Sequence, residues 1–377
     1  MLEIISDNII SPLGFNSAQN YTAATNGMSA IKENVNIFDS GIDTATAVIN
    51  NQMLDDAFAD SCMLNPDKYT KVEKAAMLSI KSASELCDAK LNSDKTAFYI
   101  SSTKGNVELL DHGDFNNPDI NLWYTANKIT KYFGNPNTPI VVSNACISGL
   151  SAIISAARAI DNNRIDCAVV TGVDMLSRFI ILGFSSLKAL SPTQCRPFDI
   201  DRNGLNLGEA AATIIMRRAT NDSKFPKFFN GIIHNDAYHI SSPSKTAEGS
   251  YRCIRDVMQC INKQDLAFIN THGTSTLYND EMEAMAISRS GLQNIPANSL
   301  KPIFGHTLGA AGILESIISI KALQNSIILP TLNFTELGVS KKININNNCC
   351  KTNGKLLLKM ISGFGGCNAA AIFKKGE

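Results

Sequence analysis

Short runs of apolar, largely β-branched residues alternate along the chain with longer stretches in which apolar residues recur every three or four positions. This alternation predicts an α/β fold, in which helices cover the faces of a sheet. The predicted strands span residues 97–101, 139–143, 167–172 and 212–217, then 227–234, 266–271, 356–362 and 369–373. The predicted helices span residues 71–89, 122–133, 147–161, 251–262, 281–288 and 308–325.

The polar stretch 219–225 separates two series of elements of similar order, which predicts two halves, residues 1–218 and 219–377. A weak internal repeat supports that division. Cys146 follows a predicted strand and opens a predicted helix, and His306 stands at the same place 160 positions later. A glycine lies three residues after each of them. We therefore expect a duplicated βα unit that brings a thiol and an imidazole to equivalent helix starts.

The composition is that of a folded protein with a large core. Hydrophobic residues make up 44% of the 377 residues and charged residues 18%, which excludes a disordered chain. The 34 basic residues balance the 34 acidic residues, so charge gives no argument for binding nucleic acid or an acidic membrane. The longest apolar stretch, near residues 179–184, is too short to span a bilayer, and the acidic Glu3 does not fit a signal peptide. We therefore expect a cytoplasmic protein without a membrane span.

Ten cysteines are spread along the chain, without a Cys-x-x-Cys pair or zinc-ribbon spacing. Most are expected to be reduced and buried as small apolar residues. Cys146 differs, because its neighbours Ala145, Ser148 and Gly149 are small enough for a tight turn and for the approach of a substrate. A helix N-terminus also lowers the pKa of a cysteine. Cys146 is therefore a candidate nucleophile, with a buried structural cysteine as the alternative.

A run of seven small and polar residues contains His272 at the predicted end of a strand. Catalytic imidazoles in α/β proteins often stand at such strand ends. Thr274 and Thr276 supply hydroxyl groups that can hold a polar ligand, and Asp280 and Glu283 share one face of the following helix. A plain turn and a capped helix start would account for the same threonines and for Asp280.

Residues 301–312 combine Lys301 with His306 at the start of a glycine-rich helix. Gly309 and Gly312 each cost the helix roughly 1 kcal/mol relative to alanine, so they indicate very close packing or a site. Lys301 on its own would be interpreted as a solvated surface charge. In this context we interpret it as part of the site.

Residues 362–368 place three glycines around Phe364 between two predicted strands. Such a loop can present a backbone N–H group to a substrate and can swing an aromatic ring. A plain β-hairpin turn is the alternative. The loop is not a nucleotide-binding fingerprint, because neither glycine-rich phosphate motif occurs in the chain.

A thiol, two histidines and a lysine, without a redox partner cysteine, indicate acyl transfer through a thioester. The tetrahedral oxyanion of that reaction needs N–H donors, which helix starts and glycine-rich loops provide. Two imidazoles that donate to one oxygen can also stabilise an enolate, the intermediate of carbon–carbon bond formation. A cysteine protease would leave the second histidine and Lys301 unexplained. A zinc site of Cys146, His272 and His306 lacks a local ligand pair, so we predict no bound metal.

The segments, in this order, closely resemble the elongating, Cys-His-His class of β-ketoacyl-acyl carrier protein synthases, which belongs to the thiolase superfamily. The resemblance runs over most of the chain and its motifs are jointly very specific. They are residues 144–149, 196–199, 201–204, 208–210, 272–276 with Asp280 and Glu283, 301–312 and 363–368. The resemblance implies a thiolase-like α/β fold of two fused, similar βαβαβ halves in five layers. The N-terminal half would carry the nucleophilic cysteine, and the C-terminal half would carry both catalytic histidines.

The resemblance also implies a role for each catalytic residue. Cys146 would take the acyl chain from the phosphopantetheine arm of a carrier protein. His272 and His306 would assist decarboxylation of a malonyl unit and stabilise the enolate. Lys301 would stand beside His272, and Glu283 would organise the site by pairing with Lys301.

Further residues are implied as supporting groups and as contacts of the substrate. Thr274 and Thr276 would bind the pantetheine arm, and Asp280 would support the site. The backbone N–H groups of Cys146 and Phe364 would form the oxyanion hole, while the Phe364 ring would gate the acyl pocket.

The implied partners are an acyl carrier protein and its acyl and malonyl thioesters. The carrier protein brings the phosphopantetheine, so no resident cofactor is expected. Because such carrier proteins are usually acidic, docking would use a local basic patch that the zero net charge conceals. The implied assembly is a homodimer, with a heterodimer as the alternative.

The chain departs from the family pattern at several positions. Ser362 stands where the family often has a second phenylalanine, and Ala210 replaces a glycine. The segment 104–138 is shorter than usual, and residues 6–14 lack the usual first-strand glycines. These departures affect what the resemblance implies about the acyl substrate more than what it implies about the reaction.

Two other protein classes remain as alternatives. A coenzyme A-dependent thiolase needs a second catalytic cysteine, for which Cys367 is the only candidate. A non-catalytic partner subunit that shapes chain length resembles the synthases but typically lacks the nucleophile, whereas Cys146 is present.

Overall fold

The computed structural model of the protein describes residues 1–34, 36–113, 115–220 and 223–376. The strands are β1 (Leu2–Ile10), β2 (Lys32–Asn34), β3 (Thr44–Ala47), β4 (Thr96–Ser101), β5 (Ile140–Val142), β6 (Cys167–Asp174), β7 (Leu207–Gly208), β8 (Ala210–Arg218), β9 (Lys227–Asn235), β10 (Leu266–Asn270), β11 (Ala297–Asn298), β12 (Ile327–Ile328), β13 (Cys350–Lys351), β14 (Leu356–Gly363) and β15 (Cys367–Lys374). The helices are α1 (Ser17–Thr25), α2 (Asn51–Cys62), α3 (Lys71–Ser84), α4 (Leu122–Tyr132), α5 (Ser148–Asp161), α6 (Arg178–Ser186), α7 (Glu248–Val257), α8 (Leu277–Arg289), α9 (Lys301–Phe304) and α10 (Ala311–Gln324). Short 3₁₀ helices span Ile37–Asp39, Pro66–Lys68, Val107–His112, Pro118–Ile120, Lys263–Asp265, Leu308–Ala310 and Phe364–Gly366.

The main strands of the two halves follow the same pairing scheme. In the first half, β5, β4 and β6 run parallel, and β8 lies antiparallel between β6 and β1. In the second half, β11, β10 and β14 run parallel, and β15 lies antiparallel between β14 and β9. The halves meet where Leu2 and Glu3 of β1 pair with Phe228 and Lys227 of β9. This arrangement confirms the expected α/β fold of two similar five-stranded halves.

The boundary between the halves falls between β8 and β9. The division into residues 1–218 and 219–377 stays a prediction, because the polar stretch on which it was placed includes residues 221 and 222, which lie outside the described residues.

Apolar side chains form three main cores, which define five layers. Helices α5 and α10 lie between the two half-sheets, where Ile153 and Ile317 are buried. Helices α2 and α3 cover the outer face of the first half-sheet through residues such as Ile80. Helices α7 and α8 cover the outer face of the second through Ile254 and Ile287. Burying one such side chain contributes roughly 1.5–3 kcal/mol relative to exposure, so helices stabilise both faces of each half-sheet.

Helices α5 and α10 cross at two glycines. A Cβ atom on Gly149 would lie 2.8 Å from the carbonyl oxygen of Gly309, and one on Gly312 would lie 2.4 Å from the backbone nitrogen of Leu150. Real Cβ atoms do not approach so closely. The glycines therefore let the N-terminal ends of the two central helices meet, which places Cys146 and His306 at one point between the halves.

Several element boundaries differ from the prediction. The helix predicted at 251–262 spans Glu248–Val257. Gly249 lies inside it, where a Cβ atom would lie 2.4 Å from the amide nitrogen of Asn368, so this glycine allows close packing inside the helix. The helix predicted at 71–89 ends at Ser84. The helix predicted at 308–325 begins as a 3₁₀ turn.

Strand β1 and helices α1 and α2 were not predicted from the pattern. β1 carries the polar residues Ser6, Asp7 and Asn8, which hide its apolar character in the sequence. In the fold, Ser6 is satisfied by donating to the carbonyl oxygen of Ala83 at 2.6 Å. Across the described ranges, no helix combines the length and the apolar character needed to cross a membrane.

Candidate active site

Cys146 lies in the tight connection between β5 and α5. Ala145 before it adopts a left-handed backbone with φ of 45°, a conformation that costs a non-glycine residue roughly 1–3 kcal/mol. The Ser148 hydroxyl holds this turn by accepting the Asn144 N–H at 2.8 Å and donating to the Ala145 carbonyl at 2.5 Å. A Cβ atom on Gly363 would lie 3.1 Å from the Cys146 nitrogen, so the Phe364 loop packs directly against the turn.

The acidity of Cys146 differs from the sequence-based expectation. Burial raises the pKa of the thiol to about 11, although Lys104 and Lys301 act to lower it. The expected lowering by a helix N-terminus is therefore wrong for the protein without substrate. Helix α5 begins two residues later, at Ser148, and the desolvation of a thiol that is only 6% exposed outweighs the nearby charges.

The two predicted histidines meet at this thiol. His272 follows the end of β10, and His306 lies between α9 and α10. Their rings pack edge to face with centroids 5.0 Å apart. The Cys146 Sγ atom and one nitrogen of each ring lie within 4.8 Å of one another.

Hydrogen bonds determine which ring nitrogen carries the proton. The Lys301 ammonium donates to Nδ1 of His272 at 3.4 Å, and the Leu308 N–H donates to Nδ1 of His306 at 3.3 Å. Each neutral ring therefore carries its proton on Nε2. Nε2 of His306 is buried and has no hydrogen-bond partner among the residues that the structure describes. An unpaired buried donor costs about 1–3 kcal/mol, so this N–H is poised for an oxygen of a ligand.

Both rings are held neutral. Burial lowers the pKa of His272 and of His306 well below the ordinary value, and the charge of Lys301 lowers both further. At neutral pH the two imidazoles thus act as hydrogen-bond donors and not as cations.

The expected pairing of Glu283 with Lys301 is wrong. Lys301 forms an ion pair with Glu315 of α10, which lies on the helix directly beneath the histidines. Glu283 instead accepts the backbone N–H groups of His272 at 2.7 Å and Gly273 at 2.6 Å. It therefore orients the loop that carries His272. Burial raises the pKa of Glu283 to about 7.

Asp280 connects two of the sequence motifs. Its carboxylate accepts the N–H of Phe198 at 2.7 Å and that of Thr274 at 3.0 Å. Burial raises its pKa to about 6. Asp280 thus holds the loop that carries His272 through the backbone of Thr274. The hydroxyls of Thr274 and Thr276 lie 2.9 Å apart at the cavity wall.

A cavity of about 460 Å³ opens above the thiol and the two imidazoles. The Phe364 ring stands in its wall against Phe184, with centroids 5.8 Å apart. Further lining residues include Lys188, Arg202, Asp236, His239, Ser241, Ser242, Pro243, Thr274, Thr276, Leu277 and Tyr278. Phe364 and both threonines were predicted at the site, and the wall contains all three.

Sequence reasoning missed two contributions to the site. The loop after β9 supplies Asp236, His239 and Ser242 to the cavity wall. Glu315 and Lys359 form a buried ion pair at 2.5 Å behind the histidines. A lone lysine within the apolar run of β14 and a lone glutamate within α10 were the available signals, because unpaired charges are rarely buried.

The donor atoms of Cys146, His272 and His306 could hold a metal ion on geometry alone. The charges around these three residues favour an anionic ligand instead of a metal cation. Lys301 and Lys359 share one carboxylate, and Lys104 acts on both Cys146 and His306. One buried acid, Asp174, also acts on Cys146, so two cations outweigh one anion there and the surroundings suit a developing anion better than a divalent cation.

Two similar α/β halves with a thiol and two neutral imidazoles at their junction define a thiolase-like protein with a site suited to acyl transfer. Residues 49–222 match the N-terminal domain of the β-ketoacyl synthases, and residues 229–335 match the C-terminal domain. The chain belongs to the β-ketoacyl synthase family.

Relatives of this chain include a 3-oxoacyl-[acyl-carrier-protein] synthase 2 from Rhizobium meliloti (strain 1021). It is 33% identical over 275 residues, which cover 68% of this chain and 65% of the relative. A synthase of the same name from Coxiella burnetii is 31% identical over 258 residues, covering 64% of this chain and 62% of the relative. Both matches span less than two thirds of the relative's own length.

The fold is also similar to solved structures. A chain from the complex of a ketosynthase with its chain length factor, from Xenorhabdus doucetiae, superposes with a TM-score of 0.86. It is 23% identical, and the superposition covers 100% of this chain and 98% of the other.

Proposed function

We propose that the protein is a β-ketoacyl-acyl carrier protein synthase, an acyltransferase that condenses an acyl thioester with malonyl-acyl carrier protein. The pathway would be fatty-acid or polyketide-type synthesis, including polyenes. One observation carries the proposal: a buried thiol lies within 4.8 Å of two neutral imidazoles. A hydrolase needs a base and one nucleophile, whereas two N–H donors beside a thiol suit the enolate of a condensation.

The first half-reaction would be acylation of Cys146. The sulfur attacks the acyl thioester carbonyl, the bond to the pantetheine sulfur breaks, and the thiol proton passes to that leaving sulfur. Because burial raises the pKa of the thiol to about 11, Cys146 is a neutral thiol at neutral pH, and its proton would leave as the sulfur attacks the thioester. Lys104 and Lys301 favour the thiolate at that moment.

The second half-reaction would be decarboxylation and condensation. The carbon–carbon bond to the malonyl carboxylate breaks, carbon dioxide leaves, and the electron pair becomes an enolate. The Nε2–H groups of His272 and His306 would donate to the enolate oxygen. The enolate carbon then attacks the acyl group on Cys146, and the released thiolate takes up a proton.

The remaining residues would support these steps. Lys301 would hold the His272 tautomer, and Glu283 would fix the backbone beside it. Backbone N–H groups of Cys146 and Phe364 would receive the oxyanion, and the Phe364 ring would move away from Phe184 to admit the acyl chain.

The proposed partner is an acidic acyl carrier protein, which delivers its own phosphopantetheine. Lys188 and Arg202 line the cavity and supply positive charge for a phosphodiester or an acidic surface. The proposed location is the cytoplasm. All ten cysteines are free, but the expectation that most would be buried is wrong, since only Cys62, Cys146, Cys195 and Cys253 are.

The chain would work as a dimer. Strand β5 stands at the edge of the described sheet, and Ile140 on it is exposed. An exposed edge strand is a surface on which a second chain can pair. We propose a homodimer. The superposing ketosynthase structure contains a chain length factor, which supports a heterodimer as the alternative.

The thiolase alternative lacks support at its key residue. The Cys367 sulfur accepts a hydrogen bond from the Asn235 amide at 3.4 Å, and Cys367 is not part of the cavity wall. A second catalytic thiol would need to face Cys146.

The experiment is reconstitution with an acyl-carrier protein, malonyl-carrier protein and the purified chain. We expect the mass of a β-ketoacyl-carrier protein together with released carbon dioxide, and no condensation product with Cys146→Ala. Product that forms only after a second family chain is added would support the heterodimer. Failure with a full series of acyl donors, with and without that chain, would reject the proposal.

A further inference from the structure

Lys359 is a charged residue in the middle of the apolar strand β14. It pairs in register with Asn270 of β10, next to the strand end that carries His272. The alternation of β14 directs it toward the central helices, on the same side as Leu357 and Ile361. Its side chain is fully buried. A lysine is almost never buried in this way without a partner.

The partner of Lys359 is Glu315, whose carboxylate it shares with Lys301. Nζ of Lys359 lies 2.5 Å from Oε2 of Glu315, and Lys301 pairs with Oε1. Nζ of Lys359 also donates to the carbonyl oxygen of Thr271 at 3.4 Å. Thr271 directly precedes His272. Two cations share this one carboxylate. The other acid that acts on Lys359 is Glu283, whose pKa burial raises to about 7, so the cluster carries a net positive charge where Glu283 is protonated.

The chemistry of the site requires only one of these two lysines. A Lys301–Glu315 pair alone would be neutral, and buried neutral pairs are less costly than a buried net charge. The additional charge of Lys359 is therefore expected to lower the stability of the folded protein, which indicates that it serves another purpose. The contacts of Lys359 indicate that purpose: it donates to the Thr271 carbonyl next to His272 and shares Glu315 with Lys301, and its charge acts to lower the pKa of His272 and of His306.

We infer that Lys359 is a positioning residue of the condensation reaction. By sharing Glu315, it keeps the His272 backbone and Lys301 in place and maintains a positive charge beneath the enolate site. The inference rests on the proposed function and adds a residue to it. Lys359 does not touch the reacting atoms and acts through Glu315, Thr271 and the two histidines.

This arrangement responds to pH in a defined direction. The charged groups that face Lys359 are Glu315 from α10, Lys301 from α9 and Glu283 from α8. Its cross-strand partners, Asn270 and Ala371, carry no charge. Burial lowers the pKa of Lys359 to about 8. The positive charge is thus complete well below pH 8 and is lost as the pH rises through that value, so decarboxylation should slow over the same range.

The test compares wild type with Lys359→Met and with the control Lys321→Met. Lys321 lies on α10 and pairs with Asp7 at 2.9 Å, away from the histidines. Carbon dioxide release from malonyl-carrier protein is measured from pH 5.5 to 9.5. For Lys359→Met we expect a kcat about tenfold lower with little change in KM, since a remote charge contributes less than a direct oxyanion donor. The decline near pH 8 should disappear, and the control should behave as wild type.

Lys359→Met should remain folded, because it leaves the neutral Lys301–Glu315 pair. A thermal midpoint at or above that of wild type would show this. A wild-type rate and pH profile in the folded variant would overturn the inference.

A second readout separates this inference from the proposed function. The imidazole titrations of His272 and His306, followed by NMR without substrate, should move to higher pH in Lys359→Met. Unchanged titrations would contradict the role of Lys359 even if the wild type condenses thioesters. If the wild type releases no carbon dioxide, the proposed function is rejected. The titrations would still show whether the charge of Lys359 lowers the pKa of the two histidines.

Discussion

Nζ of Lys301 lies 3.4 Å from Nδ1 of His272. An ammonium group can only donate, so this contact makes Nδ1 an acceptor and places the ring proton on Nε2, toward Cys146. The same lysine is anchored from below by Glu315. The ion pair thereby determines which hydrogen-bond donors the cavity presents.

The first prediction concerns that lysine. Lys301→Met leaves Glu315 paired with Lys359, so the protein should fold, but Nδ1 of His272 loses its donor. We expect decarboxylation to fall by about 100-fold, as after loss of an oxyanion donor, while acylation of Cys146 continues. Carbon dioxide release and intact mass measure the two steps separately. Lys355→Met, which changes an exposed lysine, is the control. Equal loss of both steps would argue against a specific effect on His272.

The second prediction concerns the pH dependence of Cys146. Because burial raises the thiol pKa to about 11, the thiolate fraction falls about tenfold for each pH unit below that value. Alkylation of Cys146 by iodoacetamide should therefore increase steadily from pH 7 to 10 without a plateau. Peptide mass mapping separates Cys146 from the exposed Cys260, Cys349 and Cys350, which should react faster at neutral pH. A plateau of Cys146 near pH 7 would reveal a stabilised thiolate and contradict this account.

The third prediction concerns the crossing of the central helices. Gly312→Ala places a Cβ atom 2.4 Å from the Leu150 nitrogen. Overpacking of this kind costs about 1–3 kcal/mol of unfolding free energy. It should also separate Cys146 from His306 and abolish condensation.

Gly183→Ala is the matched control for the helix crossing. Gly183 lies within α6, and a Cβ atom there would meet nothing within 4 Å. This substitution should leave activity unchanged and raise stability by about 0.5–1 kcal/mol. Urea unfolding measures both variants. A fully stable and active Gly312→Ala protein would show that the close crossing is not required.

The fourth prediction concerns Glu315. Glu315→Gln leaves two buried lysines facing an uncharged side chain, which typically destabilises a protein by about 3–5 kcal/mol. The loss should shrink above pH 8, as Lys359 releases its proton. The control is Asp7→Asn. Asp7 lies on β1 and pairs with Lys321 of α10, and because the two side chains are 19% and 29% exposed, its loss should cost clearly less than that of Glu315, about 1 kcal/mol. Equal effects of the two substitutions on urea unfolding would contradict a buried charge cluster.

The candidate catalytic residues, which the structure brings together, could be predicted because each stands in a local motif. Cys146, His272 and His306 follow strands or open helices, and short-range patterns identify such positions. Their supports could not be predicted in the same way. The pairing of Lys301 with Glu315 depends on how α9 and α10 pack, which no spacing along the chain determines.

The missed elements have similar physical causes. Strand β1 carries buried polar residues whose partners, such as the Ala83 carbonyl, become available only in the fold. The thiol acidity was predicted from a local helix effect, whereas burial, a property of the whole fold, dominates it. Lys359 interrupts an apolar strand in the sequence. Its role becomes recognisable only through its ion pair with Glu315, which lies 44 positions away along the chain.

The most direct test of the central claim is the site of acylation. The protein is incubated with an acyl-carrier protein, and its intact mass is measured for wild type, Cys146→Ala and Cys367→Ala. Wild type and Cys367→Ala should gain the mass of one acyl group, and Cys146→Ala should gain none. An adduct that persists in Cys146→Ala, or that is lost in Cys367→Ala, would contradict the account.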